Sequence, residues 1–235
     1  HYGTPRKTAT FGDLSARKSA GIFGQYQHQI GSVSTTLGAR FDAYADIGWS
    51  LSPRAAIAWN ALQNTDLKLM FGQAFRAPGV NELSASANPV HVGNPNLEAE
   101  TARTLEAAAL QRLGPLQVGL TAYRSQLGNE IITEARPGMD PRTTYAQGGD
   151  QTVSGLEAEL VGDLWARRLR ARGVVTWAAQ RVDDTFPEWL AALALVGRHG
   201  PASLTTRGRY RSARDQQTTD GLFELDSYWV LDLHA

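Results

Sequence analysis

The sequence predicts an all-β chain, a transmembrane antiparallel β-barrel with about eleven strands present. Three observations predict it. Segments of ten or more residues alternate between apolar and polar side chains. The links between them sort into a tight set and a longer, more polar set. No apolar run approaches the roughly 18 residues of a membrane helix, the longest being the stretch from Trp189 to Val196.

The strands read in order as about 18–30, 32–44, 50–61, 65–75, 101–112, 116–134, 143–163, 167–181, 188–197, 202–212 and 222–234. In the second, Val33, Leu37, Ala39, Phe41 and Ala43 share one parity against Ser34, Thr36, Gly38, Arg40 and Asp42. In the eighth, Leu169, Ala171, Gly173, Val175, Trp177 and Ala179 oppose Arg170, Arg172, Thr176 and Gln180. The last sets Leu225, Trp229, Leu231 and Leu233 against Asp226, Tyr228, Asp232 and His234. A soluble β-sandwich also alternates, so the links decide. The tight ones fall at Gly31, 62–64, 113–115, 164–166 and 198–201, and the longer ones at 45–49, 76–100, 135–142, 182–187 and 213–221. Short turns at one end and long loops at the other are the outer-membrane arrangement.

On this reading the polar parity faces a lumen and carries Arg40, Arg54, Arg170, Arg172, Arg207 and Arg209. These arginines either focus potential for an anionic ligand or pair with carboxylates such as Asp42, Glu106, Glu157, Glu159 and Asp232. Trp59, Trp177 and Trp229 fall on the lipid-facing parity, either as interfacial anchors or as packing for neighbouring strands.

The chain has 23 basic and 23 acidic residues and a formal net charge of zero, which gives no electrostatic reason to bind nucleic acid. It has no cysteine, which fits an oxidising compartment. It opens at His1 and stops within an alternating segment, and is expected to be a piece of a longer chain. The five histidines are scattered, and no nucleophile–base set, metal-ligand spacing or phosphate loop is present.

Two short boxes carry the remaining signal. Phe75-Arg76-Ala77-Pro78, followed by Glu82-Leu83, closes one strand; Gly93-Asn94-Pro95-Asn96-Leu97, followed by Glu100-Thr101, opens the next. Locally, Pro78 stops strand pairing and Asn94-Pro95-Asn96 is turn chemistry. Upstream stand Gly38-Ala39-Arg40-Phe41-Asp42, Gly48 and Ser52-Pro53-Arg54; downstream stand Thr121-Ala122-Tyr123-Arg124, Ile131-Ile132 and Gly155-Leu156-Glu157-Ala158-Glu159. In order and spacing, from about residue 20 onward, this pattern resembles the TonB-dependent receptors of Gram-negative outer membranes. Leu97-Glu98-Ala99-Glu100 departs from the family's usual continuation of the second box through lysine and proline, and Ser84 stands where an aromatic residue commonly follows.

The resemblance implies a barrel of about twenty-two strands enclosing a plug. Residues 1–235 would be part of that barrel, with the plug and the segment that contacts the energy-coupling complex (TonB with ExbB and ExbD) lying outside them. It implies a monomer in outer-membrane lipid, no enzyme activity and no cofactor. It also implies active import of a scarce metal complex bound on the extracellular side, foremost a ferric siderophore. Expected ligand-contacting positions are Arg76, Asn81, His91, Asn94 and Asn96. A haem receptor with His91 as the axial iron ligand and a cobalamin receptor are the alternatives within the family. A passive porin-like channel and a soluble β-sandwich are the alternatives outside it.

Overall fold

The computed structural model describes residues 17–85, 90–136, 142–165, 168–180, 186–218 and 221–235. Eleven long strands form one antiparallel sheet in the order β1-β2-β3-β4-β6-β7-β10-β11-β12-β13-β16. They are β1 (Ser19–Ile30), β2 (Val33–Tyr44), β3 (Gly48–Leu62), β4 (Thr65–Arg76), β6 (Glu100–Leu113) and β7 (Leu116–Gly128), followed by β10 (Gln151–Leu164), β11 (Leu169–Gln180), β12 (Trp189–His199), β13 (Ala202–Arg211) and β16 (Tyr228–His234). The remaining elements lie at the long-loop end. One turn of helix, α1 (Val80–Ser84), follows β4, and β5 (His91–Val92), β8 (Ile131–Ala135) and β9 (Thr143–Gln147) make a three-stranded sheet. A hairpin of β14 (Arg214–Thr218) and β15 (Gly221–Leu225) precedes β16.

Hydrogen-bond register settles which residues share a face, because directly paired residues in an antiparallel sheet point the same way. One row crosses all eleven strands: Ile30, Val33, Trp59, Leu67, Ala109, Leu120, Ala158, Val175, Ala191, Tyr210 and Trp229. Every member is apolar or aromatic. The opposite face carries Arg40, Arg54, Arg76, Arg112, Arg170, Arg172, Arg207 and Arg209, with Asp42, Asp66, Glu157, Glu159 and Asp232. On β6 and β7 the apolar-face positions are the exposed ones and their polar-face neighbours are half-buried. A sheet curled with its polar side inward produces that difference.

The wall has little interior of its own. Along the strands large apolar side chains stay exposed, including Tyr26, Leu37, Ile57, Trp59, Leu105, Leu120 and Leu231. Such a surface needs an apolar solvent, as the outside of a membrane barrel has. The register breaks between Ser154 and Gly155, where a Cβ on Gly155 would lie 2.2 Å from the Trp177 carbonyl oxygen. Glycine permits that close approach at the bulge.

Three predicted strands divide. The segment read as 116–134 stops at Gly128, because Asn129 takes a left-handed φ of 57° and turns the chain out of the sheet into β8. The segment 143–163 is broken by Gly148-Gly149-Asp150 into β9 and β10, and 222–234 into β15 and β16. The stretch 76–100, read as loop, contains α1 and β5.

Candidate functional site

The two boxes meet at the end of β4. Pro78 ends strand pairing and is among the most buried side chains described. Gly79 then starts α1, its N–H bonded by Glu82 Oε2 at 2.6 Å, with the acidic side chain in the first turn as a helix start favours. The second box runs back along this turn. The Gly93 N–H donates to the Ala85 carbonyl at 2.8 Å and the Asn94 N–H to the Glu82 carbonyl at 2.7 Å. The approach is so close that a Cβ on Gly93 would sit 2.5 Å from the backbone nitrogens of Ser84 and Ala85. Leu83, Ala85, Leu97 and Ala99 are all buried here. Among the described residues the apolar interior gathers at this junction, with Ala171 the one buried hydrophobic residue elsewhere.

Arg76 ties the junction to the wall. Its guanidinium contacts both Glu82 oxygens at 3.0 and 3.1 Å and also bonds Glu100, the first residue of β6. Glu100 in turn accepts from the Ile131 N–H at 2.8 Å, where β8 begins. One arginine thus links the end of a strand, the helical turn, the next strand and the hairpin above it.

The β8–β9 hairpin seats the second box. Asn94 Nδ2 donates to the Tyr145 carbonyl at 2.9 Å, while Asn94 Oδ1 accepts from the Asn96 N–H at 2.9 Å in a local side-chain turn. The Glu98 N–H donates to Gln147 Oε1 at 2.9 Å. His91 pairs with Thr143 in the short parallel ladder, its Nδ1 2.6 Å from Thr143 Oγ1 and its ring centroid 5.5 Å from that of Tyr145. Asn81 is exposed on α1. Arg76, His91, Asn94 and Asn96 therefore come together around one buried junction. The partners Thr143, Tyr145 and Gln147 were not anticipated, because nothing in the alternation of 143–163 marks where it leaves the wall.

The six predicted lumen arginines all lie on the polar face, and most have partners. Arg40 grips Asp42 with contacts of 2.7 and 2.6 Å, and Asp42 is buried. Arg172 meets Glu159 at 3.0 Å, Arg170 meets Asp163 at 3.6 Å and Arg209 meets Asp232 at 3.1 Å. Arg54 bonds the Gln25 amide oxygen. Arg207 stands directly across from Asp232, whose carboxylate bonds Arg209 instead. Solvent and salt screen the exposed guanidinium of each pair, so these pairs order the face more than they stabilise it.

Near the loop end of β11–β16 this face holds a depression of about 350 Å³ lined by Val174, Leu190, Arg209, Arg211, Tyr228 and Val230, with Glu157 and Thr176 beside them. The Arg211 guanidinium lies 6.0 Å from the Tyr228 ring centroid. Such a floor can take an aromatic group, and Arg211, beside the Arg209–Asp232 pair, can take an anionic oxygen. Arg211 and Tyr228 were not among the predicted site residues: both continue the polar parity of their strands, and parity alone does not show which polar positions share a depression. Among the described residues no cluster of acidic and histidine side chains is arranged to hold a metal ion.

A family model described as the β-barrel of TonB-dependent receptor-like proteins matches residues 1–235. The chain belongs to the TonB-dependent receptor family. Its fold is shared with the ferric enterobactin receptor PfeA of Pseudomonas aeruginosa, at a TM-score of 0.78 and 18% identity over 92% of this chain and 37% of that one. The siderophore receptor PirA of Acinetobacter baumannii gives 0.77 and 15%, covering 95% of this chain and 41% of that one. The iron transporter FrpB of Neisseria meningitidis gives 0.71 and 15%, covering 92% and 38%. The receptor segment described here thus spans about two fifths of the length of these relatives. Members of the family are transporters of Gram-negative outer membranes rather than enzymes.

Proposed function

We propose that this chain is part of the wall and loops of an outer-membrane receptor that binds a ferric siderophore on its extracellular side and imports it with TonB-transmitted energy. The observation that carries the ligand reading is the depression on the polar face, where Arg209 and Arg211 flank an apolar floor beside Tyr228. Iron chelates of this class combine anionic oxygens with apolar or aromatic groups, and the depression offers partners for both. The siderophore and iron receptors sharing the fold support the same reading. The box junction serves as the rigid base from which the loops reach the ligand.

The test is iron-limited growth of a receptor-deficient strain complemented with the full-length parent gene and offered purified siderophores and haem separately. Rescue by a siderophore, lost when the coupling protein is deleted, is the expected result. Growth on haem alone would overturn the siderophore reading and assign His91 as the ligand to test by H91A. Rescue that persists without the coupling protein would point to a passive channel.

A further inference from the structure

The outward face carries an aromatic line along the loop end of the wall. On β2 and β3 the line passes the stacked pair Phe41 and Trp49, well above the apolar row that crosses the sheet at Val33 and Trp59. On β11 and β12 it passes the stacked pair Trp177 and Trp189, one outward position above that row at Val175 and Ala191. On β13 and β16 it reaches the row itself at Tyr210 and Trp229, whose ring centroids are 4.7 Å apart. From β3 to β16 the line descends toward the row. Where it crosses β6 and β7 the outward side chains are Arg103 and Arg124.

Both arginines are exposed, and among the described residues neither has a carboxylate partner. Arg103 Nε donates to Gln73 Oε1 at 3.0 Å. Its outward row continues through Gln73, Gln126 and Thr152, while Arg124 is flanked by Leu105 and Ser154. A depression of about 280 Å³ lies alongside, lined by Arg103, Gln126, Gly128, Asn129, Thr152 and Asp150, the last bonding neither arginine. Two cations facing outward at the level of an aromatic girdle meet neither water nor acyl chain alone. They meet the charged headgroups that lie at that depth.

We propose that Arg103 and Arg124 form a binding site for the phosphorylated headgroup of an outer-leaflet glycolipid, the lipid A portion of lipopolysaccharide, on the outside of the barrel. Arginine matches phosphate with paired N–H donors, and Gln73, Gln126, Thr101 and Thr152 supply hydrogen-bonding partners for sugar hydroxyls. Leu105, Ala107 and Leu120 lie below on the same face, where acyl chains would run. This inference rests on the outer-membrane placement proposed above.

The test uses the full-length parent receptor purified in detergent, with binding of lipopolysaccharide and of its enzymatically dephosphorylated form measured at several salt concentrations. For the double variant R103Q/R124Q, affinity for intact lipopolysaccharide is expected to fall about 25-fold, at roughly a factor of five per arginine. R103K/R124K is expected to recover part of the loss, and dephosphorylation is expected to erase the difference between wild type and the glutamine variant. Heat-modifiable gel mobility and siderophore affinity, both expected unchanged, establish that the variants are folded. Equal binding by wild type and the folded glutamine variant overturns the site, as does full affinity for the dephosphorylated glycolipid. A parent receptor that fails to fractionate with the outer membrane overturns the placement itself, whatever the binding data.

Discussion

Arg76 holds two carboxylates from different segments, and that geometry makes its identity more than a matter of charge. A lysine ammonium is a point donor and does not span Glu82 and Glu100 together as the guanidinium does. R76K is therefore expected to keep the barrel intact, shown by unchanged heat-modifiable mobility, while limited proteolysis cuts the 79–99 segment faster than in wild type. R76A is expected to raise the cutting rate further. Equal rates for all three proteins would dismiss the clamp. Gly93 gives a second test at this scale. G93A forces a methyl against the α1 backbone, an overpacking cost of about 1–3 kcal/mol, and is expected to release the same segment. The residue types at this site were legible in the sequence, because the boxes stand out by order and spacing. Their roles were not, since Glu82, Glu100 and Ile131 become neighbours only after β4, β6 and β8 are placed.

The elements of the wall were the most legible part, because a period of two set against an apolar surroundings leaves one choice of face for each strand. The row from Ile30 to Trp229 shows both sides of that legibility: Val33, Val175 and Trp229 follow from local alternation, whereas Ala191 lies in the unbroken apolar run 189–196 and takes its face from the register alone. What alternation does not reveal is where a strand leaves the wall. Thr143–Gln147 reads like wall and is instead part of the hairpin that seats the second box. Two consequences follow at this scale. Replacing 130–148 by a tight turn is expected to leave the wall folded but to make the box segment protease-sensitive, since Tyr145 and Gln147 no longer receive Asn94 and Glu98. On β7, L120R places charge on the apolar face and is expected to cost about 2–4 kcal/mol in folding into lipid bilayers. T121R, one residue along on the polar face, is expected to cost much less. Similar costs for the two would contradict the assignment of faces.

For the whole molecule, a zero net charge conceals strong segregation. The polar face is laced with arginine–carboxylate pairs, while the other face presents leucine, isoleucine and tryptophan outward. The full-length receptor is accordingly expected to require detergent for extraction, and high salt alone is expected to leave it in the membrane fraction. Release by salt would contradict the lipid-facing reading. Among the described residues the sheet ends at β1 and β16, and an edge strand inside a membrane needs its outer backbone groups paired.

The row that starts at Ile30, beside the first tight turn, and emerges near the loop end of β16 at Trp229 makes the wall behave as a geared ramp. Each strand takes its height from the one before it. Inserting two residues into the β4 side of its pairing with β6 would keep every side chain on its proper face yet shift all later strands by roughly 7 Å along their axes. The aromatic rings of β11 to β16 would then leave their depth together, far from the altered site. Natural variation in such a wall is therefore freer in the loops than in the pairing of any two strands, because an error of register is inherited by every strand that follows.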